Sequence, residues 1–218
     1  MASTQVKICG LKTLDALDAA LAGGADYVGL VFFPPSPRNI SPDAAKELAA
    51  KARGRAKIVA LMVDPDDALV KQVVTAVDPD LIQLHGEEKP ERVREVKRLS
   101  GKGIIKAIKV ETVADTRQAE PYVSIADMIL FDARPPAGSS RPGGHGSPFD
   151  WNILNGVDVG GPFMLSGGLT PDNVGGAIRA TGAQIVDVSS GVERRPGEKD
   201  PALIARFLKA AKGAKQGP

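Results

Sequence analysis

The sequence predicts an α/β chain folded as a single-domain (β/α)8 barrel, and three observations carry that expectation. Short apolar or β-branched runs recur eight times, roughly every twenty residues, along a chain of 218. Each is followed by a stretch with helical character, the pattern of parallel βα units whose strands are buried on both faces. Four dipeptides, Ser41-Pro42, Asp64-Pro65, Thr170-Pro171 and Asp200-Pro201, put a capping side chain before a proline suited to the first helical position.

Taken in order, Val6–Cys9 is the first strand, and Thr13 caps a helix that Gly23-Gly24 ends. Tyr27–Phe33 is the second, leaving through Pro34-Pro35-Ser36-Pro37-Arg38, a stretch stiffened by three prolines. Lys57–Val63 is the third, with Asp64 read as the cap of the next helix. Leu81–Leu84 is the fourth and runs into His85-Gly86-Glu87-Glu88, and Gly103–Ile108 is the fifth. Met128–Phe131 is the sixth. It opens at Asp132 into a connection without periodicity that lasts to Asp150, which reads as a functional loop or lid at the C-terminal face of the barrel. Phe163–Leu165 exits into Ser166-Gly167-Gly168-Leu169, and Gln184–Val188 into Ser189-Ser190-Gly191-Val192-Glu193. One domain then spans residues 1–218, with a frayed tail from about Lys212. An open, doubly wound sheet is the alternative, but its Gly-x-Gly-x-x-Gly turn after the first strand is missing.

Composition narrows the function. A net charge of +2 leaves no electrostatic footprint for nucleic acid, and Arg194-Arg195 reads as a solvated loop pair. The single cysteine excludes an internal disulfide and fits a reducing compartment. No basic and apolar leader precedes the first strand, and no apolar run reaches the ~18–20 residues a bilayer demands. The expectation is a cytoplasmic protein with neither membrane nor nucleic-acid partner.

The two consecutive glycine-bearing exits, Gly167-Gly168 and Ser189-Ser190-Gly191, read as a cradle for a phosphate. Glycine lets backbone N–H groups approach a ligand, and serine adds donors. In a barrel, residues at strand ends share one pocket, which collects Cys9, Arg38, Asp64, Gln83, His85, Asp132 and Asp187. Each has a plain alternative. Cys9 is either a small buried hydrophobe or a thiolate acting as base or nucleophile. Asp132 is either an Asx turn opening the long loop or a general acid in a partly desolvated pocket. Arg38 is either an exposed cation or a bidentate holder of carboxylate or phosphate. His85 can shuttle protons, yet with two histidines and no nearby His or Cys partner no metal site is expected.

These segments together resemble the phosphoribosylanthranilate isomerases of tryptophan biosynthesis, from Val6 to about Ala211. The resemblance rests on Lys7-Ile8-Cys9-Gly10, Gly24-Ala25-Asp26-Tyr27-Val28-Gly29, Ser36-Pro37-Arg38-Asn39-Ile40-Ser41 and Gln83-Leu84-His85-Gly86-Glu87-Glu88. It continues through Gly143-Gly144, Phe149-Asp150-Trp151, Leu165-Ser166-Gly167-Gly168-Leu169 and Asp187-Val188-Ser189-Ser190-Gly191-Val192-Glu193. It implies an Amadori rearrangement of N-(5-phosphoribosyl)anthranilate without cofactor or metal, with Asp132 as general acid and Cys9 as general base. It implies further that Arg38 holds the anthranilate carboxylate while Gln83, His85 and Asp187 line the pocket. Gly144, Gly167, Gly168, Ser189 and Ser190 would bind the phosphate, helped by a short helix N-terminus after Ser190. The chain departs from the family pattern at His145 and Ser147-Pro148, where the family has a hydroxyl residue and a lysine-containing pair. A monomer or homodimer acting on a phosphosugar is the expected working unit. A neighbouring ribose-phosphate barrel enzyme or a catalytically silent phosphosugar-binding barrel are the rival readings.

Overall fold

The computed structural model describes residues 4–134 and 150–214. Its strands are β1 (Gln5–Cys9), β2 (Tyr27–Phe32), β3 (Lys57–Met62), β4 (Leu81–Leu84), β5 (Gly103–Val110), β6 (Met128–Ala133), β7 (Met164–Leu165) and β8 (Ile185–Val188). They pair in parallel and in chain order, and β8 returns to β1 to close the barrel. The expected eight-stranded barrel is the observed one.

The helices are α1 (Leu14–Ala22), α2 (Pro42–Ala52), α3 (Asp67–Val77), α4 (Pro90–Ser100), α5 (Val113–Thr116), α6 (Val174–Thr181) and α7 (Pro201–Gly213). Thr13, Ser41 and Asp200 cap α1, α2 and α7 with their side chains, as their positions suggest. Two caps fall elsewhere. Asp66 rather than Asp64 caps α3, accepting the Leu69 N–H at 2.8 Å. Asp64 instead takes a left-handed φ of 44° and accepts the Glu87 N–H at 2.8 Å. It ties the loop after β3 to the loop after β4. Likewise α6 starts behind Asn173, whose Oδ1 accepts the Thr170 N–H at 2.7 Å. The cap position thus falls one residue beyond Pro65 and two beyond Pro171; Asp66 takes a first-turn N–H of its helix, while the Asn173 side chain turns back to Thr170.

Between β6 and β7 the described residues form no α-helix, and the element there is a 3-10 turn over Trp151–Leu154. Residues 135–149 lie outside the described part, and with them most of the expected functional loop, Gly144, His145 and Ser147-Pro148. The expected tail also changes: Lys212 and Gly213 belong to α7, with Lys212 paired to Asp26 at 2.9 Å. Residues 215–218 lie outside the described part.

Side chains alternate along each strand, so the barrel carries two cores. Outward residues such as Ile8, Leu30, Ile58 and Phe131 pack against the helices. Inward residues Tyr27, Val59, Ile105, Leu130, Met164 and Ile185 fill the lower barrel. Each fully buried side chain of this size contributes about 1.5–3 kcal/mol, so both layers fix the strand ends rigidly. Above the inner apolar layer the barrel turns polar, with Lys7, Gln83 and Asp187 and, one pleat higher, Cys9, His85 and Asp132.

Candidate active site

A cavity opens at the C-terminal end of the barrel. It is lined by Cys9, Arg38, His85, Asp132, Gly167, Gly168, Asp187, Ser189 and Ser190, together with apolar side chains including Phe33, Leu61 and Leu169. Nine of the residues picked from strand ends and glycine exits therefore meet in one place. Asp64 and Gln83 are not among the lining residues. Gln83 is fully buried two residues before His85, so its side chain sits one pleat beneath the cavity floor.

Cys9 ends β1 with 3% of its surface exposed. The backbone of β2 leaves it room, because a Cβ on Gly29 would stand 2.9 Å from the Cys9 sulfur. Burial pushes the thiol above its ordinary pKa, the nearby Asp187 carboxylate adds to that, and the ammonium groups of Lys7 and Lys199 oppose it. Lys7 lies on the same face as Cys9, one pleat down, fully buried and paired with Asp187 at 3.0 Å. Burial alone would discharge Lys7, but Asp187 and the thiol outweigh it and hold its pKa above normal. A fixed positive charge therefore lies directly below the thiol.

Asp132 stands on β6, three places from β1 around the ring of eight, with β7 and β8 between them. It is 4% exposed. Its Oδ1 accepts the Ala133 N–H at 3.0 Å, and its Oδ2 lies 3.1 Å from His85 Nε2. His85 Nδ1 is in turn 2.9 Å from Gln83 Nε2. The loop carrying His85 is braced by a buried pair, Lys106 and Glu88, at 2.7 Å. Glu88 also accepts the N–H groups of Gly86 and Asp64, and Lys106 donates to the Gly86 carbonyl.

Between acid and thiol come the two glycine exits. Gly167 and Gly168 have φ values of 90° and 66°, where a side chain would strain the backbone. No acceptor among the described residues takes the N–H groups of Gly167, Gly168 or Ser190. Asn173 braces the first loop by donating to the Gly168 carbonyl at 2.9 Å. The second continues from Ser189 into a single 3-10 turn, Ser190–Val192, in place of the expected helix start. The Ser189 hydroxyl donates to the Cys9 carbonyl at 3.2 Å and accepts from Lys199, so its backbone rather than its side chain faces a ligand.

Arg38 is 5% exposed, and Glu193 grips its Nε and Nη2 at 2.8 Å each. Glu193 sits on a hairpin after β8, β9 (Glu193–Arg195) with β10 (Glu198–Lys199), and it also pairs with Lys199 at 2.7 Å. Burial favours the neutral carboxyl, but the two cations prevail and hold Glu193 below its usual pKa. Burial wins at Lys199, which is lowered to about 8 even though Glu193 supports its charge. Sequence reading singled out neither Lys7, Lys199 nor Glu193. A lysine inside the apolar run Val6-Lys7-Ile8-Cys9, in step with the cysteine, is the one readable signal among them. Among the described residues no group of three His, Cys, Asp or Glu side chains is placed to hold a metal ion, and no helix is long and apolar enough to cross a membrane.

Comparison with known proteins places this geometry in context. A family model described as N-(5'phosphoribosyl)anthranilate (PRA) isomerase matches residues 6–210. The N-(5'-phosphoribosyl)anthranilate isomerase of Rhodopseudomonas palustris (strain BisB5) is 54% identical over 98% of both chains. That of Paramagnetospirillum magneticum is 54% identical over 97% of this chain and 98% of its own. Among solved structures, the phosphoribosyl anthranilate isomerase of Thermotoga maritima superposes with a TM-score of 0.87 at 36% identity, covering 96% of this chain and 99% of that one. A complex of such an isomerase with reduced 1-(o-carboxyphenylamino)-1-deoxyribulose 5-phosphate gives a TM-score of 0.84 at 36% identity, over 96% and 99% of the two chains.

Proposed function

The chain belongs to the N-(5'-phosphoribosyl)anthranilate isomerase family, and from that membership we propose how its residues share the reaction. The enzyme is an isomerase of tryptophan biosynthesis, turning N-(5-phosphoribosyl)anthranilate into 1-(2-carboxyphenylamino)-1-deoxyribulose 5-phosphate. The observation that carries the assignment of roles is the placement of Cys9 and Asp132 on strands three places apart, with the open N–H groups of two loops between them.

The Gly167-Gly168 and Ser189-Ser190 backbone takes the substrate phosphate, and the cavity directs the sugar across the barrel mouth. Asp132 gives its proton to the furanose ring oxygen. The C1–O bond breaks as the anilino nitrogen lone pair forms a Schiff base, and Asp132 is left as carboxylate. The Cys9 thiolate then removes the proton from C2, and the electron pair flows to the iminium nitrogen to give an enolamine. Loss of the enol proton and protonation at C1 yield the ketone. The nitrogen is the electron sink, so one acid and one base suffice and no cofactor is needed. Arg38, held in one orientation by Glu193, faces the anthranilate carboxylate. Lys7 keeps a cation beneath Cys9 and stabilises the thiolate whenever it forms, while Asp187 fixes Lys7. We take the working unit to be a monomer or homodimer acting in the cytoplasm. The Thermotoga maritima relative, described as dimeric with monomers generated from it, supports both states.

Because Cys9 is the only cysteine, alkylation tests its role cleanly. Iodoacetamide is expected to abolish turnover in step with modification, and the reduced product analogue to protect. Only the thiolate reacts, and burial raises the thiol pKa. The modification rate should therefore keep climbing as pH passes the ordinary thiol value of about 8.5. The ascending limb of kcat/KM should climb with it, since kcat/KM reports the free enzyme. Full turnover by the completely alkylated protein would remove Cys9 from the mechanism.

A further inference from the structure

We infer that Gln83 and His85 are positioning residues that set Asp132 up as the acid, by presenting an N–H rather than a lone pair to its carboxyl. This rests on the reading of Asp132 given above. The contacts run as one line from a fully buried amide to the cavity: Gln83 Nε2 to His85 Nδ1 at 2.9 Å, then His85 Nε2 to Asp132 Oδ2 at 3.1 Å. Neutral imidazole carries one hydrogen, so whichever nitrogen accepts from Gln83 leaves the other as donor.

The contact with Asp132 selects the orientation. With the Gln83 amide nitrogen toward His85, its Oε1 is the one side-chain atom of the trio left buried without a partner. Turning the amide over would satisfy that oxygen but leave both hydrogens of the NH2 group buried and unpaired. It would also move the imidazole hydrogen to Nδ1 and aim the Nε2 lone pair at the Asp132 oxygen. Since one amide hydrogen is unpaired in the first arrangement as well, the tally of unmade bonds is the same either way. The difference lies at Asp132: a carboxylate oxygen 3.1 Å from Nε2 needs a donor there, which only the first arrangement supplies. Gln83 donates to Nδ1, and Nε2–H donates to Asp132.

The consequence is chemical. Asp132 then accepts two hydrogen bonds, from Ala133 N–H on Oδ1 and from His85 on Oδ2. Each oxygen keeps a second lone pair for the acidic proton or for solvent. Both donors interact more strongly with carboxylate than with carboxyl, so they gain strength as the proton leaves for the ring oxygen. They also fix the carboxyl plane toward the cavity. Gln83 never touches substrate and acts only through His85.

Two measurements decide the matter. The protein has two histidines, His85 and His145, so long-range 1H–15N spectra at a pH where imidazole is neutral can assign the His85 tautomer. An Nε2–H ring is the expected result, and an Nδ1–H ring overturns the inference. In kinetics, Gln83→Met is expected to lower kcat roughly 5- to 100-fold, the effect of one unmade buried hydrogen bond. KM and affinity for the reduced product analogue should stay within about twofold. His85→Leu should fall as far, and His85→Gln should recover much of the loss, because its amide can accept from Gln83 and donate to Asp132. If Gln83→Met does not fold, the His85→Leu and His85→Gln pair decides alone. Unchanged kcat in Gln83→Met, or no recovery in His85→Gln, overturns the inference. Asp132→Asn run alongside separates the two levels: if it stays active the acid assignment fails, and if it is inactive while Gln83→Met is normal only the positioning pair fails.

Discussion

Asp132→Asn is expected to lower kcat by roughly 10²- to 10⁴-fold, the usual contribution of a positioned general acid. That corresponds to about 3–5 kcal/mol of transition-state stabilisation. The amide keeps the shape and the Oδ1 acceptor for the Ala133 N–H, so the strand end should hold its place. It cannot supply a proton to the ring oxygen, so the furanose stays closed. Its NH2 group also meets the His85 nitrogen from the donor side, forcing a rearrangement of the Gln83–His85 line. Steady-state kinetics with a binding assay for the reduced product analogue would check this. A large drop in kcat with near-parental analogue affinity is expected, whereas loss of affinity with unchanged kcat would make Asp132 a binding residue.

Cys9→Ser is the second large effect, again roughly 10²- to 10⁴-fold in kcat. Serine fits the space beside Gly29, so packing is not the issue. A hydroxyl is a far weaker acid than a thiol and is not ionised to a useful extent by Lys7. The proton on C2 then has no acceptor. The step affected lies after ring opening, which separates this variant from Asp132→Asn. With substrate in excess, rapid quenching of the Cys9→Ser protein should trap Schiff base or ring-opened material that the Asp132→Asn protein does not accumulate. Equal absence in both would place Cys9 elsewhere in the reaction.

Much of this architecture is legible in the chain. The strands of a parallel barrel are buried on both faces, so they stand out as apolar runs, and all eight observed strands start within one residue of those runs. Caps were legible at Ser41 and Asp200, whereas the Asp64 side chain goes to the Glu87 N–H and α6 starts behind Asn173 rather than Thr170; the dipeptides alone do not tell these cases apart. The residues of the rim, Cys9, His85, Asp132 and Asp187, are legible because a polar group at the end of an apolar strand has one place to go. Their partners are not. That His85 faces Asp132, that Lys7 lies under Cys9 paired to Asp187, and that Glu193 and Lys199 hold Arg38 and Ser189 all depend on which strands become neighbours across the barrel. Chain spacing does not encode those contacts, since the pairs lie up to 180 residues apart. Gln83 shows the same limit on a smaller scale. Period-two alternation puts it on the face of His85, but only barrel depth decides that it sits below the cavity rather than in it.

The most direct test of the central claim is growth without tryptophan of an auxotroph lacking only this isomerase step. Expression of the wild-type chain should restore growth, and the Cys9→Ser and Asp132→Asn chains, present at equal levels, should fail to do so. Failure of the wild-type chain to rescue, or full rescue by either variant, would contradict an isomerase that works by a thiol base and a carboxyl acid across a phosphate grip.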